Sequence, residues 1–127
     1  MSARLRGITL DCHDATTTAA FYVAVLGWDI VDRDGDGWIQ VAGPADVHLN
    51  LQAEADFVAP VWPETPAAQQ KMIHLEIEVD DLDAAIDRAL AAGGSLAAHR
   101  PPDRDPNRIR VVLDPAGHPH CLFVAGE

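Results

Sequence analysis

His74, Glu76 and Glu78 alternate with Leu75, Ile77 and Val79 along the stretch Met72–Val79. In a β-strand that spacing sends the polar set to one face and the apolar set to the other. An imidazole beside two carboxylates is material for general acid–base chemistry if the carboxylates are desolvated. At the solvated rim of an open pocket the same pair would do nothing. Cys121 adds a potential nucleophile. It would need a neighbouring base or a lowered thiol pKa, and His74 is the only evident partner; otherwise Cys121 is a small residue lining a pocket. A further polar set, His48, Asn50 and Gln52, shares one face of the stretch 47–52. Asp32, Asp34, Asp36 and Gly37 imitate the opening of a calcium loop. Gly43 stands where that loop's bidentate glutamate is due, so Asp34–Gly37 reads as a hairpin turn. His13, His99 and His118 fall beside a cap or near loops and read as surface. His120 alternates with Cys121 and should face the opposite way.

These groups have to be held by strands, and the chain provides them twice. Arg6–Asp29 slides onto Met72–Ser95 so that Asp14 falls on Asp81 and Leu26–Gly27 on Gly93–Gly94. Ile8, Leu10 and Cys12 fall on Leu75, Ile77 and Val79. Such a repeat implies two copies of one supersecondary unit. In the first copy, a strand over 5–12 leads to Asp14 as N-cap and to a helix over 15–26. Phe21, Tyr22, Val25 and Leu26 form its buried stripe, Gly27 stops it, and Thr16–Thr18 make a weak first turn. Strands over 28–32, 38–42 and 47–52 follow. In the second copy, a strand over 72–79 leads to Asp80 or Asp81 as cap and to a helix burying Ala85, Ile86, Ala89 and Leu90, with Gly93–Gly94 as its stop. Then come strands over 95–99, 108–113 and 120–125, with a loop over 100–107 and a tight turn at Asp114–Gly117. Each half is βαβββ, an α+β pattern whose short turns make most pairings antiparallel. We divide the chain into module one, 1–53, a proline-rich arm, 54–71, and module two, 72–127. Trp62 in that arm reads as a packing anchor on its own subunit or on a neighbour.

With 127 residues and 48% hydrophobic content, the chain can fill one core. Its formal net charge of −11 argues against nucleic acid and anionic membranes as partners. No apolar run approaches the ~20 residues of a spanning helix, and the opening MSARLRG lacks a signal-peptide core, so cytoplasm is the expectation. Two cysteines do not make a disulfide framework, and alternation aims Cys12 toward a helix and Cys121 away from one.

Three pieces together resemble the vicinal oxygen chelate superfamily, also called the glyoxalase/bleomycin resistance/dioxygenase fold. They are the Asp14-capped helix running into Phe21–Tyr22 and Leu26–Gly27–Trp28, the segment His74–Ile77 with Asp81–Ala85, and Asp114–Gly117 followed by Cys121–Leu122. The resemblance implies that the two modules form a curved mixed-sheet cup, helices outside and site within. Its metal enzymes hold a divalent ion at four strand positions, two per module, commonly His, Gln or Glu. Here those positions are Gly7, Gln52, His74 and Cys121. Gly7 has no ligand atom and no acid is present, which suits neither Mg²⁺ nor Mn²⁺. Zinc could take His74 and Cys121, with Glu76 or His48 joining, but usually wants three or four protein ligands. The expectation is therefore no metal cofactor; were a divalent ion to bind, His74, Gln52 and Cys121 would hold it.

Alternation within that cup turns Thr9, Asp11, Trp38, Gln40, His48, Asn50 and Gln52 of module one toward a ligand, with His74, Glu76, Cys121 and Phe123 of module two. The resemblance thus implies a small-molecule binder, suited through Trp38 and Phe123 to an aromatic or amphipathic compound. Two alternatives stand beside it. One is a lyase, isomerase or dioxygenase with an atypical metal set, or metal-free catalysis by His74 and Glu76. The other is a regulatory or interaction module whose pocket is vestigial and filled. The resemblance also implies a homodimer, with modules side by side or exchanged through the arm.

Overall fold

Asp14 and Asp81 start the two helices in the same way. Each has extended backbone, and its carboxylate accepts from the N–H three residues on, Thr17 at 3.1 Å and Ala84 at 3.1 Å. A computed structural model describes residues 2–99 and 103–125. The chain divides into two units between Phe57 and Val58.

The first unit comprises β1 (Gly7–Cys12), α1 (Ala15–Leu26), β2 (Asp29–Asp34), β3 (Trp38–Ala42) and β4 (His48–Ala53). Its sheet order is β1-β4-β3-β2, with β1 and β4 parallel and the other pairs antiparallel. Leu10, Cys12, Ile39, Val41, Leu49 and Leu51 are buried against Phe21, Tyr22 and Val25 of α1. The threonines expected to weaken the first turn instead complete the cap. Thr17 Oγ1 donates to the Asp14 carboxylate at 2.9 Å, and Thr18 Oγ1 to the Asp14 carbonyl at 2.7 Å. Gly27 ends α1 at φ 69. Asp14→Ala should cost about 1 kcal/mol, read as a lower urea midpoint. Thr17 holds the Asp14 carboxyl below its ordinary 3.8, so this contribution is present above that pH and fades as pH falls through the lowered value.

Gly43 lies against the flat of the Trp28 indole, where an added Cβ would overlap ring atoms. An indole ring cannot bend aside as a flexible chain can. Gly43→Ala should therefore cost roughly 1–3 kcal/mol, by the same measurement.

The second unit comprises β5 (Glu76–Glu78), α2 (Leu82–Ala91), β6 (Ser95–Leu96), β7 (Ile109–Leu113) and β8 (Pro119–Phe123), in the order β5-β8-β7-β6. β5 and β8 pair in parallel, and β6–β7 and β7–β8 pair antiparallel. The core is Leu82, Ala85, Ile86 and Ala89 of α2 with Val112 and Leu122. Leu90, expected inside, is 43% exposed, and Leu82 takes its place at the start of the apolar stripe. Gly93 at φ 94 and a bond from Gly94 N–H to the Ala89 carbonyl at 2.9 Å close the helix.

The expected strand over 72–79 shortens to three residues. Met72 adopts φ 62, and Ile73 N–H turns back to the Lys71 carbonyl at 2.7 Å. The strand expected over 95–99 is only Ser95–Leu96. Of the loop expected over 100–107, residues 100–102 lie outside the described residues; Asp105 anchors the rest, accepting from Asn107 N–H at 2.9 Å. The proline-rich arm closes on itself through Val61 N–H to the Gln69 carbonyl at 2.8 Å, and the Trp62–Pro63 peptide is cis. Among the described residues no helix is long and apolar enough to cross a membrane.

Candidate functional site

Pairing within the second sheet builds a face on the side away from α2. β5 and β8 set Glu76 beside Cys121, while β7 and β8 set Val111 opposite Cys121 and Ile109 opposite Phe123. His74, two residues before Glu76, keeps the same parity. Its Nε2 lies 3.9 Å from Glu76 Oε1, and one ligand atom each of His74, Glu76 and Cys121 falls within 4.8 Å of the others. This cluster borders a cavity of about 190 Å³ that Trp62, Arg104 and Val111 also line. A larger cavity, about 450 Å³, runs between Glu76, Arg104, Arg108, Ile109 and Phe123.

Cys121 does not sit as an activated nucleophile. Burial pushes its thiol pKa up and the Glu76 carboxylate adds to this, while Arg104 and Lys71 pull the other way. Glu76 is 67% exposed along its side chain and Glu78 is exposed, so both carboxylates sit in solvent at the edge of this face.

His120 points into the core as alternation expects, and Leu75 N–H donates to its Nδ1 at 2.9 Å. Two of the three histidines expected at the surface are half-buried. His99 Nε2 contacts the Arg104 carbonyl, and His118 stacks on His120 at 6.2 Å; only His13, edge-on to Phe57, is exposed. Cys12 Sγ donates to the Gln52 carbonyl at 3.5 Å, and neither Cys12 nor Cys121 is in a disulfide.

In the first unit the expected ligand-facing residues form rows across the face away from α1. Register aligns Thr9, Asn50 and Gln40 in one row and Asp11, Gln52 and Trp38 in the next. Gln40 Nε2 donates to Asn50 Oδ1 at 3.0 Å, and Asn50 Nδ2 to Thr9 Oγ1 at 3.3 Å. Gln52 Nε2 donates to the Glu54 carboxylate. His48 pairs with Gly7, and a Cβ on Gly7 would press on Asn50 Nδ2 at 3.0 Å, so Asn50 fills the space a side chain there would need.

Of the superfamily's four positions, Gly7 offers no side-chain donor atom, and Gln52, whose Nε2 donates to the Glu54 carboxylate, offers only the neutral amide oxygen Oε1. Within the second unit, His74, Glu76 and Cys121 offer one nitrogen, one oxygen and one sulfur, a mixture zinc accepts and magnesium does not.

Sequence reasoning missed the cationic side of this site. Arg104, Arg108 and Arg110 line the two cavities, and Lys71 lines a third, of about 30 Å³, beside His74 and Cys121. Trp62, expected only to pack, lines two of them. Its Nε1 is buried without an acceptor among the described residues, as is Arg110 Nε. The spacing of three arginines over 104–110, in a chain so rich in acids, was the available signal.

Residues 7–123 match the family model described as a glyoxalase-like domain. Over 120 residues the chain is 29% identical to CFP32 of Mycobacterium tuberculosis, whose name calls it a candidate glyoxylase. That match covers 94% of this chain and 45% of the relative, so the chain spans about half the length of the curated relatives it matches. FosX, a fosfomycin resistance protein from Listeria monocytogenes, superimposes with a TM-score of 0.72 at 18% identity, covering 99% of this chain and 94% of that one. TnmS3, an antibiotic binding protein from Streptomyces sp. CB03234, gives 0.63 at 24% identity, with 98% of each chain covered. A glyoxalase/bleomycin resistance protein/dioxygenase family enzyme from Burkholderia phytofirmans gives 0.71 at 17% identity, covering 96% of this chain and 98% of that one. At such identities the likeness is one of fold.

Proposed function

The chain belongs to the glyoxalase-like domain family of the glyoxalase/bleomycin resistance/dioxygenase superfamily, and on that premise we propose that it binds a small organic molecule on the helix-free face of its second unit, without the superfamily's complete metal set. The observation that carries this is the pair of cavities that share Glu76, Arg104 and Ile109. Its volumes, about 450 and 190 Å³, suit a ligand of modest size, and its walls combine an apolar floor of Ile109, Val111 and Phe123 with a polar rim. Open cavities speak against a filled, vestigial pocket. That TnmS3 is named for binding an antibiotic supports binding without reaction as a use of this fold. In keeping with this reading we place the protein in the cytoplasm as a homodimer.

A thermal-shift screen against aromatic antibiotics, 2-oxo acids and thiol adducts should return a binder. Ile109→Trp, at a residue that lines both cavities, should weaken that binder at least tenfold. Equal affinity for the variant and the wild type would sink the assignment to this face.

The His74–Glu76–Cys121 cluster favours a second reading, an enzyme with an atypical, zinc-like set held by one module. Metal analysis of the purified protein separates the two. One zinc per chain surviving gel filtration would overturn the metal-free reading, and substoichiometric metal would overturn the second.

A further inference from the structure

Resting on the small-molecule reading above, we propose that the ligand carries an oxyanion, a carboxylate or phosphonate, held between the Trp62 indole N–H and the Arg104 guanidinium. Trp62 Nε1 is a donor with no accepting capacity, and here it is buried with nothing to donate to among the described residues. A ligand oxygen would satisfy it, whereas a ligand N–H would leave it unsatisfied. The indole is also held in place rather than loosely docked. Lys71 Nζ sits 4.8 Å from the ring centroid and is itself fixed by the Glu64 carboxylate at 2.9 Å, and the loop base closes from Val61 to Gln69.

Charge points the same way. The chain has 20 acidic and 9 basic residues, yet its second-unit cavities are lined by Lys71, Arg104, Arg108 and Arg110 against Glu76 and Asp105. Basic groups therefore outnumber acidic ones only locally, where field lines concentrate in a cleft. Arg108 Nη2 donates to the Ala125 carbonyl and Arg110 Nη2 to the Ala97 carbonyl at 3.4 Å. The Arg104 guanidinium has no such bond among the described residues, and Arg104 borders both larger cavities. Its backbone is fixed by the His99 contact and by the Asp105 turn that follows. Glu76 sits on the same face but is largely solvated, so its repulsion toward an anion is screened.

The test uses matched probes, phenylphosphonate and benzoate against uncharged benzamide and benzyl alcohol, followed by ¹H–¹⁵N correlation spectra of the full chain. Three indole signals are expected, and Trp62→Phe assigns one. That signal should move downfield on titration with the acids, and more weakly or not at all with the neutral analogues. Arg104→Gln, at an exposed position, should weaken the acids at least tenfold, as should Trp62→Phe. The tighter of the two acids identifies the headgroup. If acids and neutral probes all shift the Val111 and Cys121 amides with equal affinity, and both variants bind as wild type does, this inference is overturned while the binding site stands. If no probe shifts those amides, the small-molecule reading fails and takes this inference with it.

Discussion

Between pH 7 and pH 4 the protein should lose on the order of 3 kcal/mol of folding free energy through His120 alone. The ring is 1% exposed, and its Nδ1 accepts from Leu75 N–H, so its one proton sits on Nε2, facing Asp114 Oδ2 at 3.9 Å. Asp114 by itself would favour an imidazolium. The second proton would have to go on Nδ1, however, where it would remove the acceptor Leu75 depends on. Burial outweighs the carboxylate and, with His118 and His74 adding, brings the pKa from 6.5 to about 3. The unfolded chain takes up a proton as pH falls below 6.5 and the folded chain does not until about 3. Stability is therefore full above the unfolded value and falls by up to about 1.4 kcal/mol per pH unit across that window. Urea melts at pH 7, 6, 5 and 4 on the wild type and His120→Gln would measure it. The variant should start lower, because its bond to Leu75 is altered, and then decline less steeply. Carboxylates such as Asp14 contribute to both slopes, so the difference between the two isolates His120. Parallel declines would refute the assignment.

That same histidine explains why one strand was illegible in the sequence. His74–Val79 alternates cleanly, and alternation correctly placed Glu76 and Cys121 on one face. It could not show that Leu75 N–H would leave the ladder for a side chain 45 positions away, or that Met72 would turn the backbone at φ 62. Those are long-range and conformational facts with no local period. The helices were legible because their signals are local: an aspartate, an apolar stripe, a glycine able to adopt positive φ. Leu90 was misplaced because it lies at the flank of a stripe that starts at Leu82 and runs through Ala85, Ile86 and Ala89. In the site, the strand residues Glu76, Cys121 and Phe123, and His74 just before β5, could be placed by parity. Trp62 and Arg104 reach the same cavity from an arm and a loop, where spacing carries no information about direction.

Replacing Asp114 by alanine should cost roughly 2–4 kcal/mol, and replacing it by asparagine distinctly less. Asp114 is 3% exposed, and its Oδ1 accepts from Ala116 N–H at 2.9 Å and His118 N–H at 3.0 Å. Its own backbone closes the turn, donating to the His118 carbonyl at 3.0 Å and accepting from Gly117 N–H at 2.9 Å, with Gly117 at φ 94. Alanine leaves two N–H groups without their acceptor in a confined turn, whereas asparagine keeps an oxygen where Oδ1 stood. The consequence extends to the site. This turn joins β7 to β8 and sets the register that places Cys121 opposite Val111 and beside Glu76. Loosening it should free the end of β8 first. In Asp114→Ala, labelling of Cys121 by a thiol reagent should accelerate before Cys12 reacts, since Cys12 is fully buried in the first unit and reports its opening. Mass spectrometry of the labelled peptides distinguishes the two cysteines. An alanine variant with the wild-type urea midpoint and labelling rate would mean that β7 and β8 keep their register without this carboxylate, and that the strand pairing itself aligns Cys121 with the cavity.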